Sequence, residues 1–273
     1  MRLSYRVRAR NTSADSENKI HDDATAATYG FRGGLVPGIT VYAYMTVPLV
    51  ERFGFAWLES GSMQVKFHQP FYDGEQIAVQ GEIDEGSDPV KIAITAARED
   101  GIVCATALAT INDRSAWLGE PALKNYPTAV LPPLDARPIP SSASLIPGTV
   151  LGSLDQMVNL SASDVLERLD EPLPIYRGPQ AVEHPFVLLR AANEMLMYNY
   201  KLGPWIHTAS DLINWSAAHD GDALSVRGRV ADRFERKGHE FVVLDVLTVA
   251  NADRVVQQVR HTAIYRPRQV DAR

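Results

Sequence analysis

Cysteine is nearly absent: Cys104 stands alone among 273 residues. That excludes an internal disulfide framework and any cysteine-rich metal site. Cys104 sits in the apolar run 102–108, which reads as a buried strand rather than the setting of a nucleophile. Long hydrophobic runs are missing as well. None reaches the roughly 18 residues that a membrane helix needs. The opening MRLSYRVRARNT has no apolar core of signal-peptide length and alternates like a strand. A cytoplasmic protein without membrane insertion is the default expectation. Positive charge is in short supply, with 27 Lys and Arg against 33 Asp and Glu, a net charge of −6. That balance argues against nucleic acid as the main partner.

What is present suffices for a packed core. Apolar residues make up 45% of the chain and charged residues 22%, a composition of globular rather than disordered proteins. The length fits one large domain or two of ordinary size. An internal repeat favours two. GEQIAVQGEI at 74–83 matches GDALSVRGRV at 221–230, with Gly74, Val79 and Gly81 paired to Gly221, Val226 and Gly228 at an offset of 147. Upstream, Pro37 and Trp57 match Pro185 and Trp205 at an offset of 148.

Each half shows the same order. An almost uniformly apolar helix is predicted over 38–53 and again over 185–201, the first interrupted by Pro48. Strands are predicted over 62–69, 76–84, 90–98 and 102–111, and over 206–214, 223–232, 239–249 and 254–265. Turn signals such as Asp73-Gly74, Asp100-Gly101 and Lys237-Gly238 separate them. Successive strands with tight turns imply an antiparallel α+β arrangement, not a βαβ one. Between the halves, residues 113–148 carry seven prolines, from Pro121 to Pro147, and read as a semi-rigid connector. The organisation expected is a motif-bearing unit over 1–115, a connector over 116–148 and a degenerate unit over 149–273.

The chemistry concentrates in SENKIHDDATAATYGFRGGLVPG at 16–38. His21 stands beside an acidic cluster, Asp15, Glu17, Asp22 and Asp23. A glycine-rich turn, Gly33 to Gly38, then opens an apolar helix. A proton-transfer group precedes a helix start whose free N–H groups and dipole favour negative charge. Acyl-thioester chemistry needs both.

Three blocks here resemble the MaoC-like hydratase/dehydratase family of hotdog-fold proteins. Asn18-Lys19-Ile20-His21-Asp22-Asp23 is similar to its D-x-N-P-[IL]-H-x-D motif. Gly33-Gly34-Leu35-Val36-Pro37-Gly38 is similar to its G-x-[IL]-x-H-G turn. The stretch 65–75, VKFHQPFYDGE, is similar to its F-x-x-P-x-x-x-G-[DE] strand and turn. The resemblance, extended by the repeat, implies a double hotdog: two antiparallel sheets, each wrapped around a central, mostly apolar helix. It implies reversible addition of water to a 2-enoyl thioester carried on coenzyme A or an acyl carrier. His21 would be the catalytic acid/base, Asn18 would orient it, and Gly34 and Gly38 would bind the thioester carbonyl. The family aspartate falls on Ser16, whose hydroxyl has no useful basicity near neutral pH. Asp15, Glu17 and Asp23 are the carboxylates near enough in sequence to replace it. The family proline is Lys19, and the histidine before the helix-start glycine is Pro37. In the second half the matched positions are Leu169, His184 and Phe186, so one site per chain is expected.

Two other functions fit the same residues. Hydrolysis of an acyl thioester needs a carboxylate and a helix start, which the acidic cluster could supply. A non-catalytic acyl-binding or structural hotdog protein would keep the fold without the chemistry. No metal and no redox cofactor is implied, since Asp22-Asp23 lacks a ligand set around it. The resemblance allows both a monomer, with the two units paired internally, and a homodimer. The tyrosine pairs Tyr42/Tyr44 and Tyr198/Tyr200 read as core or as the lining of an acyl tunnel. His207, Ser210 and Asp211 resemble hydrolase chemistry only superficially, with no nucleophile-elbow sequence around them.

Overall fold

All eight expected strands form, and two more join them. The computed structural model describes residues 1–111 and 121–269; the start of the expected connector, 116–120, and the last four residues lie outside them. The strands are β1 (Arg2–Arg8), β2 (Ser62–Phe67), β3 (Gln76–Asp84), β4 (Lys91–Arg98), β5 (Val103–Thr110), β6 (Val150–Met157), β7 (Ile206–Asn214), β8 (Ala223–Arg236), β9 (His239–Ala250) and β10 (Arg254–Arg266). The helices are α1 (Asp23–Thr28), α2 (Gly38–Phe53), α3 (Phe55–Ser60), α4 (Val165–Arg168) and α5 (Pro185–Asn199).

The ten strands form one antiparallel sheet, ordered β1-β3-β4-β5-β2-β7-β10-β9-β8-β6. Two sheets, as expected from the resemblance, are therefore not what the chain builds. Left apart, β2 and β7 would each present an edge of unpaired N–H and C=O groups. They pair with one another instead, Val65 opposite Ser210, and the two five-stranded halves become continuous. The halves correspond strand for strand: β1 to β6, β3 to β8, β4 to β9, β5 to β10 and β2 to β7. Of the outermost strands, β1 matches the strand-like alternation of the opening segment, while β6 did not stand out in sequence because Gly152, Ser153 and Asp155 break it up, as suits a sheet edge.

The repeat extends to atomic detail. Glu75 accepts the Tyr72 N–H at 2.9 Å, and Asp222 accepts the His219 N–H at 2.7 Å. Isolated bridges join Leu35 to Tyr72 and Val182 to His219, again 147 residues apart. Helix α2 has Pro37 as its N-cap and α5 has His184. A single offset of 147 thus runs from Leu35 to Glu75. The offset of 148 read from the prolines is a register error of one, and His184 corresponds to Pro37, not to Val36.

Both long helices are buried because nearly every side is apolar. In α2 the run from Ile39 to Val50 is buried throughout, each large side chain contributing roughly 1.5–3 kcal/mol relative to exposure. The helix continues through Pro48, at the cost of one backbone donor. Helix α2 packs on β1, β3, β4 and β7, α5 packs on β6, β8, β9 and β10, and the two helices touch. This places the start of α2 near the β2–β7 seam, where residues of both halves meet. On the opposite face of the second half, Tyr126 from the connector covers Leu247 and Val249 and donates to Asp245 at 2.7 Å. Among the described residues, no helix is long and apolar enough to cross a membrane.

Candidate active site

The segment carrying His21 is shaped by its own polar side chains. Asn18 caps a short 3-10 turn, Lys19–His21. Asp22 then caps α1, its carboxylate accepting the Thr25 N–H at 2.9 Å. Asp23 reaches forward to accept the Gly34 N–H at 2.7 Å. Asn11 ties the turn down by donating to the His21 carbonyl at 2.8 Å. Glycine at position 34 is required here by close approach. A Cβ on Gly34 would lie 2.0 Å from the His21 carbonyl oxygen. Gly34→Ala is therefore expected to push the histidine turn outward, costing about 1–3 kcal/mol; a melting curve checks it.

His21 and the start of α2 share one cavity of about 230 Å³, lined also by Asn18, Phe67, His68, Asn193, Trp205 and His207. His21 Nδ1 lies 2.6 Å from the Leu35 carbonyl oxygen. A carbonyl only accepts, so Nδ1 carries the proton and the neutral ring keeps a lone pair on Nε2. Burial holds the imidazole below its usual range, opposed by the bond to Leu35. Asn18 Nδ2 sits 3.4 Å from Nε2 and donates to the Trp205 carbonyl at 3.0 Å. The Trp205 N–H in turn donates to Asn18 Oδ1 at 3.1 Å. The second half thereby fixes Asn18 beside His21.

At the start of α2 the Pro37 carbonyl takes the N–H groups of Thr40 and Val41. Those of Gly38 and Ile39 have no partner among the described residues, as expected of a helix start. No side chain caps them. Gly38 is glycine for lack of room: a Cβ there would lie 2.9 Å from His207 Nδ1 and 3.2 Å from Phe67.

The acidic residues are placed elsewhere. Asp15 and Glu17 are exposed, Asp23 is engaged with Gly34, and none of the three lines the cavity. Gly34 does not line it either. Among the described residues no carboxylate does, whereas four of the seven histidines do: His21, His68, His207 and His239. Ser16 Oγ donates to the Asn18 carbonyl at 3.3 Å. Among the described residues, no group of three or more His, Cys, Asp or Glu is placed to hold a metal ion. Tyr42, Tyr44 and Tyr200 are buried, Tyr198 is partly exposed, and none of the four lines this cavity.

The second half has the opposite arrangement at its helix start. His184 Nδ1 accepts the Phe186 N–H at 3.0 Å. Its Nε2–H donates to Glu171 at 3.0 Å, and both side chains are 2% exposed. Tyr176 packs on the His184 ring, centroids 4.5 Å apart. This amino end is plugged by side chains.

Sequence reasoning did not identify the contributions of β7 to the cavity. His207 and Ser210, three apart, should face opposite sides of a regular strand. Against β10, however, His207 opposes Ala263 while Ala209 opposes Thr262, so Thr208 is an extra, bulged residue. The bulge puts His207 and Ser210 on one face, 2.8 Å apart, with Asp211 on the other.

No family model and no curated protein matches the chain. Solved structures match along nearly its full length. A Chloroflexus aurantiacus J-10-fl protein named as a MaoC domain dehydratase superposes with a TM-score of 0.67 at 10% identity, over 98% of this chain and 95% of that one. A double-hotdog protein from Mycobacterium tuberculosis gives 0.66 at 14% identity, over 97% and 95%. An acyl-ACP thioesterase from Bacteroides thetaiotaomicron gives 0.50 at 10%, over 96% and 97%. At such identities the likeness is one of architecture, and the architecture is the hotdog fold.

Proposed function

We propose that the protein adds water reversibly to a short-chain 2-enoyl thioester. The observation that carries this reading is the shared cavity: an imidazole with its Nε2 lone pair free of a proton faces the same space as the open amino end of α2. The thioester carbonyl would accept from the Gly38 and Ile39 N–H groups. His21 Nε2 would take a proton from water as its oxygen bonds to Cβ. Negative charge would move to the carbonyl oxygen, where helix-start donors stabilise it. The same nitrogen would return the proton to Cα, leaving protein and proton count unchanged.

One group serving as base and then acid removes the need for the carboxylate that Ser16 lacks. Asn18 supports this role by orienting the ring from a position locked to the Trp205 backbone. The cavity volume of about 230 Å³ is below the roughly 300–1,000 Å³ of common small-molecule clefts, which supports a short acyl group. The carrier would be coenzyme A or an acyl-carrier protein. We treat the halves as two hotdog units, with the site contributed mainly by the first and closed off by β7 of the second.

Thioester hydrolysis is the competing reaction, in keeping with the thioesterase among the structural neighbours. That no carboxylate among the described residues lines the cavity weighs against it. The test is a pair of assays on the purified chain. Loss of the conjugated double bond from a short 2-enoyl-CoA, with no free thiol released from the saturated analogue, supports hydration. Thiol release with the double bond untouched reverses the assignment.

A further inference from the structure

The amide, hydroxyl and imidazole side chains that line the cavity are held by the protein, with one exception. His68 Nε2 pairs with Thr106 Oγ1 at 2.8 Å, and Thr208 donates to the Thr262 carbonyl at 3.1 Å. His239 Nδ1 accepts the Arg268 N–H at 3.0 Å. The exception is Asn193. Its amide has no hydrogen bond among the described residues, although the side chain is only 9% exposed. Oδ1 is wholly buried, and Nδ2 is the end of the amide that is not sealed off.

Asn193 comes from α5, the helix that touches α2. On α2 itself, Val41 lines the cavity one turn beyond Gly38. The wall that the two helices share is therefore apolar at Val41 and polar at Asn193. A buried amide without a partner costs stability in the empty protein. Against an all-hydrocarbon acyl group that cost would remain, and leucine would suit the position better. A ligand that carries its own oxygen to the amide removes it, and a site built this way discriminates against the analogue lacking the oxygen. The oxygen is uncharged. Among the described residues no Lys, Arg, Asp or Glu lines the cavity, so a carboxylate or ammonium would enter it unmatched. A keto or hydroxyl oxygen accepts from Nδ2–H, and a hydroxyl can also donate if the amide turns over.

We propose that Asn193 is a specificity residue. It selects short 2-enoyl thioesters whose acyl chain bears a keto or hydroxyl oxygen beyond the double bond. The proposal rests on the thioester reading above and names the substrate class of that same site. It gives the second half, through α5, a part in choosing the substrate.

The experiment is titration calorimetry of the full chain with saturated CoA thioesters, which a hydratase cannot process. The probes are 4-oxopentanoyl-CoA and 5-oxohexanoyl-CoA. Each is compared with its methyl counterpart, 4-methylpentanoyl-CoA or 5-methylhexanoyl-CoA, which has nearly the same shape without the oxygen. At least one oxo ligand should bind about 10-fold more tightly than its counterpart, the effect of one net hydrogen bond. In Asn193→Leu that preference should vanish or reverse. Asn193→Ala, which adds no bulk, should lose it too and serves if the leucine variant does not fold. Equal binding within both pairs, or a preference that survives in the variants, overturns the proposal and leaves the thioester reading standing. A preference that depends on Asn193 in a protein that turns over no enoyl-CoA supports the proposal and removes the hydratase reaction. If none of the four ligands binds, the thioester reading falls and this proposal with it.

Discussion

His21→Ala is expected to reduce kcat for hydration of a short 2-enoyl thioester about 10²- to 10⁴-fold, the usual contribution of a positioned general acid–base group. KM should change little, because the carbonyl donors at the start of α2 do not depend on the imidazole. The melting temperature should also hold, since the ring makes one clear hydrogen bond, to the Leu35 carbonyl. The wild-type pH profile provides a second readout. The reaction needs neutral His21, and burial lowers its pKa. The acid limb of kcat/KM should therefore lie below the value of about 6.5 typical of a free imidazole. It should disappear in His21→Ala. A rate that falls instead on an alkaline limb, or a variant as active as wild type, would assign the proton transfer to another group.

Glu171→Ala should have the largest effect on stability. The carboxylate accepts from His184 Nε2–H and from the Leu173 N–H at 2.9 Å, inside the core beneath Tyr176. Removing it leaves both donors buried without acceptors. Breaking such a pair costs about 3–5 kcal/mol. At roughly 2–4 °C per kcal/mol for a chain of this size, the melting temperature should drop by about 10 °C. Glu171→Gln, which keeps an acceptor oxygen, should lose markedly less. Folded Glu171→Ala protein should retain its kcat, because this pair plugs the second helix start and faces no substrate. A collapse in kcat at unchanged stability would show that the second half has a working site.

The fold was legible in the sequence where local rules decide it. Alternating apolar residues and Gly-containing turns located eight strands, since one face of each is buried and tight turns need special backbone geometry. The edge strand β6 escaped because an edge tolerates polar residues and interrupted patterning. The continuous sheet escaped because β2 and β7 pair across 145 residues, counting from Val65 to Ser210, and no local signal encodes a partner that distant. The repeat was visible, but its register near the helices was off by one. Pro37 and Pro185 match as letters and do not occupy equivalent places.

The site was legible only where it is contiguous. His21, Asn18 and Gly38 come from one segment, and all three line the cavity. Proximity in sequence misdirected attention to Asp15, Glu17 and Asp23. Two of them face water and one holds the glycine turn. Trp205, Asn193 and His207 come from the other half. They reach the cavity through the β2–β7 seam and a bulge at Thr208, features that strand alternation alone does not reveal.

The most direct measurement is a crystal structure of the chain with a saturated short acyl-CoA. The thioester oxygen should lie about 3 Å from the Gly38 and Ile39 nitrogens, with the β-carbon facing His21 Nε2. An acyl group bound away from the amino end of α2, or a cavity that stays empty at saturating ligand, would contradict the account.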